Sequence, residues 1–357
     1  MVRIVPLLLR RRIPLSPKMP RRRAFATRFV AALGVLAVGT AAVACSSEEV
    51  AEEASQPSVV SGEWPRTVDT ADGPITLDAP PERIVSTSVT LTGSLLALDA
   101  PLIGTGAQPT SNTTDEQGRF SQWADAADER GVETLYQGEP NIERITAAAP
   151  DLIVVSAGGA DSAKERYDVL SQIAPTLVFD YTDKSWQEMT TALAAAVGAE
   201  ERAEELISEF DTKVDEARAA IAPALSDSSE VNILTYNSPQ DSRIFTAVSA
   251  QGQLAERLGL TTAALPDDIA NADKGVMAGR ADVVPVGVEN LSRALPGAIT
   301  FVISAEHPAA GAMRADPLLA EIPSVRTGKV YALGYDSFRL DYYSANNVVD
   351  RIVDALA

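Results

Sequence analysis

The sequence contains a single cysteine, Cys45, and a single histidine, His307. One cysteine cannot form an intramolecular disulfide or a cysteine-based zinc site, and one histidine cannot form a histidine-clustered metal site. Several histidines or carboxylates normally converge on a bare metal ion, so a receptor for free iron or zinc is disfavoured. The composition therefore predicts no metal site and no protein-bound cofactor.

Basic residues are scarce beyond the amino-terminal segment. The chain has 30 Lys and Arg against 49 Asp and Glu, a formal net charge of −19. Residues 1–44 hold nine of the basic side chains and no acidic one, so the remainder carries 21 basic and 49 acidic residues, a net charge of −28. A body this acidic repels a phosphate backbone, which makes broad nucleic-acid binding improbable.

No apolar run reaches the roughly 20 residues that a membrane-spanning helix needs. Residues 29–44 form a run of 16 residues behind clustered arginines, which suits the core of a signal peptide. The run ends in Ala-Val-Ala before Cys45, and small residues before a lone cysteine resemble a bacterial lipobox. This resemblance implies cleavage before Cys45, a lipid on its sulfur and an extracytoplasmic protein anchored to the membrane. Ordinary secretion with an incidental cysteine is the alternative.

The start of the chain leaves two points open. The pair Arg22-Arg23 fits a twin-arginine signal loosely, so both that route and general secretion remain, and Met19 is an alternative start to Met1. Residues 46–62 are rich in Ser and Glu and contain no aromatic residue, which predicts a disordered stalk.

Beyond the stalk, short apolar strands alternate with helices. DLIVVS at 151–156 is a continuous apolar run, typical of a strand buried on both faces. Ser185 and Glu188 form a capping box ahead of one helix. Apolar residues between 203 and 221 recur at intervals of three and four, which predicts an amphipathic helix of roughly 24 residues ending at Pro223. Because the alternation then resumes, we predict an α/β fold with two parallel-sheet lobes joined by a single long helix.

The predicted organisation has five parts. They are a signal peptide at 1–44, an anchored stalk at 45–62, an N-terminal lobe at 63–184, connecting helices at 185–223 and a C-terminal lobe at 224–357.

A weak internal repeat relates the two lobes. IERITAAAP at 142–150 leads into one apolar run, and VENLSRALP at 288–296 leads into another. Glu143 and Glu289 stand 146 residues apart, as do the two prolines. Two similar lobes with a rigid connector are the shape of a receptor that binds its ligand in a cleft. Chance recurrence of helix–proline–strand units within one α/β protein is the alternative.

Seven segments, in order across residues 64–357, carry a family resemblance. They are WPRTVDT, APPERIVSTSVTLTGSLLALDAPLI, GEPNIERITAAAPDLIVVSA, IAPTLVFDYTDKSW, SAQGQLAERLG, GVENL and YALGYDSFRLDYYSA. They resemble the periplasmic binding proteins of iron–siderophore ABC transporters, and most closely the ferric-enterobactin binders among them. The resemblance implies the helical-backbone, class III fold and no catalysis by this chain. It also implies capture of a ferric siderophore and its delivery to an ABC permease.

Arg339 is the best candidate for ligand binding. A ferric tris-catecholate is a rigid trianion with flat aromatic rings, so it suits guanidinium donors and aromatic faces. Arg339 lies between a predicted strand and the last helix, near Tyr342, where a cleft-facing loop is expected. The resemblance implies that this arginine contacts the siderophore, and Tyr342 is a candidate because an aromatic residue beside an arginine suits a catecholate. A surface ion pair with Asp336 or Asp341 is the alternative.

Other positions depart from the family pattern. The enterobactin binders have an arginine where this chain has Asn112 or Thr113, and Arg119 is a candidate substitute. They also have a tryptophan before SAQGQ, where this chain has Phe245 with Arg243 nearby. Ser88 is a further candidate, because its hydroxyl can donate to a ligand or cap the following helix.

The paired glutamates are the candidates for docking. In the family, one Glu on each lobe pairs with arginines of the permease subunits, which implies this role for Glu143 and Glu289. The alternative is that each is an ordinary solvated side chain.

Other ligands and one other class of function stay open. Haem, cobalamin and hydroxamate siderophores are alternative ligands of the same fold. A lipid-anchored α/β hydrolase with His307 as its base is a remote alternative, since no G-x-S-x-G or H-E-x-x-H motif is present.

Overall fold

The computed structural model describes residues 62–238, 241–272 and 279–357. The predicted signal peptide, Cys45 and the stalk up to residue 61 lie outside the described residues. Within the described ranges, no helix has both the length and the apolar character needed to cross a bilayer. The described chain begins with a small antiparallel hairpin of β1 (Arg66–Val68) and β2 (Ile75–Leu77).

The first sheet contains five parallel strands. They are β3 (Ile84–Ser86), β4 (Leu102–Ala107), β5 (Glu133–Gln137), β6 (Leu152–Ser156) and β7 (Thr176–Phe179). The strand order is β5-β4-β3-β6-β7. Every residue of β6 is buried, as its unbroken apolar sequence predicts for a strand covered on both faces. The helices among these strands are α1 (Val89–Ala97), α2 (Ala124–Glu129), α3 (Ile142–Ala147) and α4 (Tyr167–Leu170).

Two helices follow the first sheet, α5 (Trp186–Val197) and α6 (Glu200–Ile221). The predicted capping box at Ser185 and Glu188 is present at the start of α5. Gly198 ends that helix at a φ of 77°, a left-handed conformation that glycine adopts without steric cost. With 22 residues, α6 is about 33 Å long. Its buried face is the predicted one: Ala203, Leu206, Phe210, Val214, Ala217 and Ile221.

The second sheet contains six strands. They are β8 (Glu230–Ser238), β9 (Asp241–Phe245), β10 (Thr261–Thr262), β11 (Val283–Val286), β12 (Ile299–Val302) and β13 (Val330–Ala332). The order is β11-β9-β8-β12-β13, with β10 beside β8. The helices are α7 (Ala250–Arg257), α8 (Asp267–Ala270), α9 (Val288–Ala294), α10 (His307–Ala315), α11 (Pro323–Thr327) and α12 (Tyr342–Leu356).

This second sheet differs from the first in strand direction. The expected parallel arrangement holds for β8, β10, β12 and β13, whereas β9 runs antiparallel to β8 and β11 antiparallel to β9. The reason is the length of the connection. Only two residues separate β8 from β9, and a parallel crossover needs about a dozen or more.

The two sheets share a strand order that matches the predicted repeat. β6 and β12 are each the fourth strand along their sheet, beside the third strand, β3 or β8. A short helix immediately precedes each, α3 before β6 and α9 before β12. Helix–proline–strand units of similar sequence therefore occupy equivalent places in the two lobes.

Helix α12 packs against both α6 and α1, and so returns the end of the chain to the first lobe. The side-chain amide of Gln122 donates to Oδ2 of Asp341 at 3.1 Å, just before α12 begins. The ring of Tyr342 lies 5.8 Å from that of Trp186 at the start of α5. These contacts place the segment before α12 between the two lobes.

Candidate functional site

Arg339 reaches from the second lobe to the first. It follows a short 3-10 helix at Tyr335–Phe338 in the connection between β13 and α12, in extended backbone. Its Nη1 donates to Oγ1 of Thr90 at 3.0 Å and to the hydroxyl of Tyr181 at 2.9 Å. Its Cζ lies 5.5 Å from the centre of the Tyr181 ring, within cation–π range. The predicted arginine therefore lies between the lobes.

The loop that carries Arg339 is held by the second lobe itself. The amide nitrogen of Gln251 donates to the carbonyl oxygens of Ser337 and Phe338 at 2.9 and 2.8 Å. Beyond the arginine, Asp341 and Ser344 form a capping box at the start of α12, and Oγ of Ser344 donates to the carbonyl of Arg339 at 2.9 Å. The backbone on both sides of the arginine is therefore fixed.

Asp161 is a carboxylate of the first lobe that is linked to Arg339 through the hydroxyl of Tyr181. It accepts hydrogen bonds from Oγ of Ser88 at 2.6 Å, from the backbone N–H of Thr90 at 2.9 Å and from the hydroxyl of Tyr181 at 2.6 Å. Burial by itself would raise the pKa of Asp161, but the hydrogen bonds from Ser88, Tyr181 and Thr90 outweigh it and lower that pKa. Asp161 is thus ionised at neutral pH.

A cavity of about 130 Å³ opens beside Asp161 at the carboxyl ends of the first-lobe strands. Its walls are mostly small or apolar: Thr87, Val89, Gly106, Ala107, Gln108, Pro109, Tyr136, Gly138, Pro140, Ala160, Asp161 and Ser162. The hydroxyl of Tyr136 donates to the carbonyl of Thr87 at 3.1 Å. Burial raises the pKa of Tyr136 far above its usual value, so this phenol stays neutral. The cavity is a small, polar-edged recess of the first lobe.

The structure confirms the helix cap predicted for Ser88, whereas its predicted donation to a ligand stays a prediction. Its Oγ accepts from the backbone N–H of Leu91 as the N-cap of α1, and the same oxygen donates its proton to Asp161. Ser88 is fully buried, so its role here is to hold Asp161 in place.

Phe245 and Arg243 lie on β9. Phe245 is buried and packs edge-on against Phe338, with ring centres 6.0 Å apart. Phe338 is 42% exposed, and Val248 beyond β9 is 57% exposed. Arg243 is half-exposed and lies 3.4 Å from a carboxylate oxygen of Asp241. The exposed aromatic face therefore comes from Phe338, with Phe245 behind it.

Arg119 and Tyr342 are engaged elsewhere. Arg119 is 2% exposed, and its guanidinium pairs with Asp115 and Asp128, with both contacts at 2.7 Å. The hydrogen bond to Asp128 is the largest cause that raises the pKa of Arg119. The hydroxyl of Tyr342 donates to Glu209 of α6 at 3.3 Å. The structure brings neither side chain into the group around Arg339.

Glu143 and Glu289 occupy equivalent positions. Each is the second residue of its short helix, α3 or α9, and each is exposed. A carboxylate in the first turn interacts favourably with the helix dipole, so each glutamate also has a local structural role at the start of its helix. Glu143 makes no ion pair within the described part of the chain.

Three members of this site were missed from the sequence: Thr90, Asp161 and Tyr181. Each follows a strand of the first sheet, and the carboxyl ends of parallel strands meet at one edge. That placement is the signal that could have found them.

Residues 84–336 match the family model described as periplasmic binding protein. The chain belongs to the periplasmic binding protein family. Its members bind substrates for transport and are not enzymes, so the hydrolase alternative for His307 is wrong.

Individual relatives agree with the family assignment. The chain is 45% identical over 296 residues to the ferric enterobactin-binding periplasmic protein FepB of Escherichia coli O6:H1, covering 83% of this chain and 92% of that protein. It is 30% identical over 220 residues to the probable siderophore-binding lipoprotein YfiY of Bacillus subtilis, covering 60% and 62%. The crystal structure of holo-ViuP superimposes with a TM-score of 0.70 at 35% identity, covering 83% of this chain and 96% of that one. These relatives and the helical connector confirm the predicted class of fold.

Proposed function

We propose that this periplasmic binding protein captures a ferric catecholate siderophore, of the enterobactin type, between its two lobes. The single observation that carries the proposal is the state of Arg339. One nitrogen of its guanidinium is anchored on the first lobe, and neither Nε nor Nη2 has a hydrogen-bond partner among the described residues. The similarity to a ferric enterobactin-binding protein supports the same ligand class.

The ligand's chemistry fits these groups. A ferric tris-catecholate carries three negative charges on oxygens and presents flat rings, whereas a ferric tris-hydroxamate is neutral and gains less from a guanidinium. Arginine pairs with oxyanions through parallel N–H groups and also stacks on rings. The exposed ring of Phe338 adds an aromatic face in the adjacent position of the chain.

The acidic body does not oppose such a ligand strongly. Charges more than about 8 Å away are largely screened at physiological ionic strength. One arginine 4 Å from a ligand oxyanion contributes about 4 kcal/mol at an effective dielectric constant of 20. The guanidinium of Arg339 therefore makes the net electrostatic interaction with an anionic ligand attractive.

The protein would also deliver its ligand to a permease and stay anchored to the membrane. Glu143 and Glu289, exposed at equivalent places on the two lobes, would pair with basic residues of the two subunits of an ABC permease. A lipid on Cys45 would keep the receptor at the outer face of the cell membrane. The ferric siderophore is cargo in this scheme and no resident cofactor takes part.

Intrinsic fluorescence tests the ligand class, because the chain has three Trp and eight Tyr. The protein truncated before residue 45 is titrated with ferric enterobactin, ferrichrome and haem at fixed salt. We expect saturable quenching by ferric enterobactin, weakened about 100-fold in Arg339→Ala, a loss typical of a charge-assisted pair. The exposed Arg326 in α11 supplies the matched control, Arg326→Ala. Preferential binding of ferrichrome or haem would leave the transport role and overturn the catecholate assignment.

A further inference from the structure

The guanidinium of Arg339 is used asymmetrically. Nη1 has two N–H groups, and both are engaged, one by Thr90 and one by Tyr181. The N–H groups of Nε and Nη2 point together on the other side of the planar group, and together they match two oxygens of an anion. Anchoring Nη1 therefore fixes the direction in which this pair of donors points.

The hydrogen bonds behind the anchor have one possible direction. The guanidinium can only donate and the ionised carboxylate of Asp161 can only accept. The phenol of Tyr181 must therefore accept from Arg339 at 2.9 Å and donate its single proton to Asp161 at 2.6 Å. The result is a directed chain from arginine through tyrosine to aspartate, and it crosses from the second lobe to the first.

The aspartate end of the chain is itself immobilised. Its carboxylate accepts from the N-cap side chain and from a backbone N–H in the first turn of α1, a helix of nine residues. Thr90 supplies that N–H, and its hydroxyl is also the second anchor of Arg339. The hydrogen-bonded chain of Arg339, Tyr181 and Asp161 is thus attached to the N-terminus of α1.

The backbone makes room for the phenol. Gly159 has a φ of 88°, and a Cβ at this position would lie 1.9 Å from the hydroxyl oxygen of Tyr181. At Gly158 next to it, the nearest atom to an added Cβ is the methyl of Thr182 at 3.6 Å, an ordinary contact. Residue 159 must therefore be glycine, in part because a side chain there would occupy the space of the Tyr181 hydroxyl.

From these contacts we infer that Tyr181 and Asp161 are positioning residues, which hold the Nε and Nη2 donors of Arg339 toward the anionic ligand before it arrives. The inference rests on the proposed function and assigns it two residues that act through the arginine. A prearranged donor pair loses less conformational entropy on binding, so the chain raises affinity. If it served instead to hold the empty lobes together, breaking it would tighten binding.

The test uses two changes that break the chain at different points. Tyr181→Phe removes the hydroxyl, and Gly159→Ala displaces it. The matched controls are Tyr167→Phe, whose hydroxyl has no hydrogen-bond partner in the described ranges, and Gly158→Ala. With ferric enterobactin as the probe, we expect Kd to rise about tenfold in both test variants and to stay within twofold in both controls. Far-UV circular dichroism and thermal melting check that every variant is folded.

A double-mutant cycle separates positioning from a structural role. In the Arg339→Ala background, Tyr181→Phe has nothing left to position and should cause no further loss of affinity. A second tenfold loss in that background, an unchanged Kd in Tyr181→Phe, or tighter binding would each overturn the inference.

A measurement without ligand keeps the inference separate from the proposed function. Relaxation of the Arg339 ¹⁵Nε signal in the empty protein should show an ordered side chain that becomes mobile in Tyr181→Phe and not in Tyr167→Phe. If the wild-type protein fails to bind ferric enterobactin, the proposed function falls, and the Nε order then decides the positioning role alone. Unchanged order in Tyr181→Phe would overturn it.

Discussion

Gly93 of α1 lies directly against the carboxylate of Asp341, which caps α12. A Cβ on Gly93 would lie 2.6 Å from Oδ2 of Asp341 and 2.9 Å from Cδ1 of the buried Trp123. The absence of a side chain at this position therefore sets how closely the helix of the first lobe approaches the last helix of the chain.

Gly93→Ala should destabilise the protein. The added methyl must displace a buried carboxylate or an indole ring, and overpacking of this kind costs about 1–3 kcal/mol. Better helix propensity offsets up to about 1 kcal/mol of that cost. Gly311→Ala in α10 is the control, because the nearest atom there is a flexible arginine end at 4.0 Å. Urea denaturation should show a lower free energy of unfolding for Gly93→Ala and an unchanged or higher one for Gly311→Ala.

The pH dependence of stability should change in Asp341→Asn. Burial is the main cause that raises the pKa of Asp341 in the folded protein. A carboxyl with a raised folded pKa contributes stability that is present below its unfolded pKa, about 3.9, and is lost as pH rises through the folded pKa. Asparagine also caps helices well, so it preserves the local structure. Between pH 4 and pH 8, unfolding experiments should show the wild-type protein losing stability relative to the variant; the opposite trend would contradict the raised pKa.

The double variant Glu143→Ala/Glu289→Ala should separate capture from delivery. Neither carboxylate is hydrogen-bonded to Arg339 and neither residue lines the cavity, so we expect Kd for ferric enterobactin to stay within twofold. Uptake of ⁵⁵Fe-enterobactin by cells that depend on this receptor should fall at least tenfold, because two permease contacts are lost together. Glu201→Ala/Glu204→Ala, two exposed charges on α6, is the control for net charge. Normal uptake by the first variant would refute the docking role.

Cys45→Ser should release the protein from the membrane. A serine hydroxyl cannot form the thioether that carries the lipid, so palmitate labelling should disappear and the protein should move from the membrane fraction to the soluble fraction. Ser46→Ala, the next position, should retain both. A wild-type protein that takes up no palmitate and is as soluble as Cys45→Ser would favour ordinary secretion with an incidental cysteine.

Sequence patterns predicted the elements whose bounds and buried faces depend on residues close together in the sequence. The spacing of apolar residues located α6 and its buried face, and Ser185 with Glu188 located the start of α5. Arg339 was predicted from its place between a strand and the last helix together with the family resemblance of the segment around it. The antiparallel β9 was not found, since its five residues include only two large apolar ones, Ile244 and Phe245.

The partners of Arg339 illustrate what local patterns do not contain. Tyr181 lies 158 positions away in the sequence, and Thr90 lies 249 positions away. Only the packing of two lobes brings them together. The ion pairs of Arg119, in contrast, are with residues nearby in the sequence: Asp115 lies four residues before it and Asp128 nine residues after it.

Arg339 and Asp341 are separated by one residue, and Arg339 has extended backbone. Arg339 belongs to the proposed ligand site, and Asp341 takes part in the contact between the lobes, through Gln122 and the space left by Gly93. Two residues of extended chain span about 7 Å and transmit displacement with little slack. If Arg339 binds the ligand as proposed, a shift of its backbone on binding would move Asp341 and with it the contact between the lobes, so a permease that senses the spacing of the lobes could distinguish the loaded receptor from the empty one.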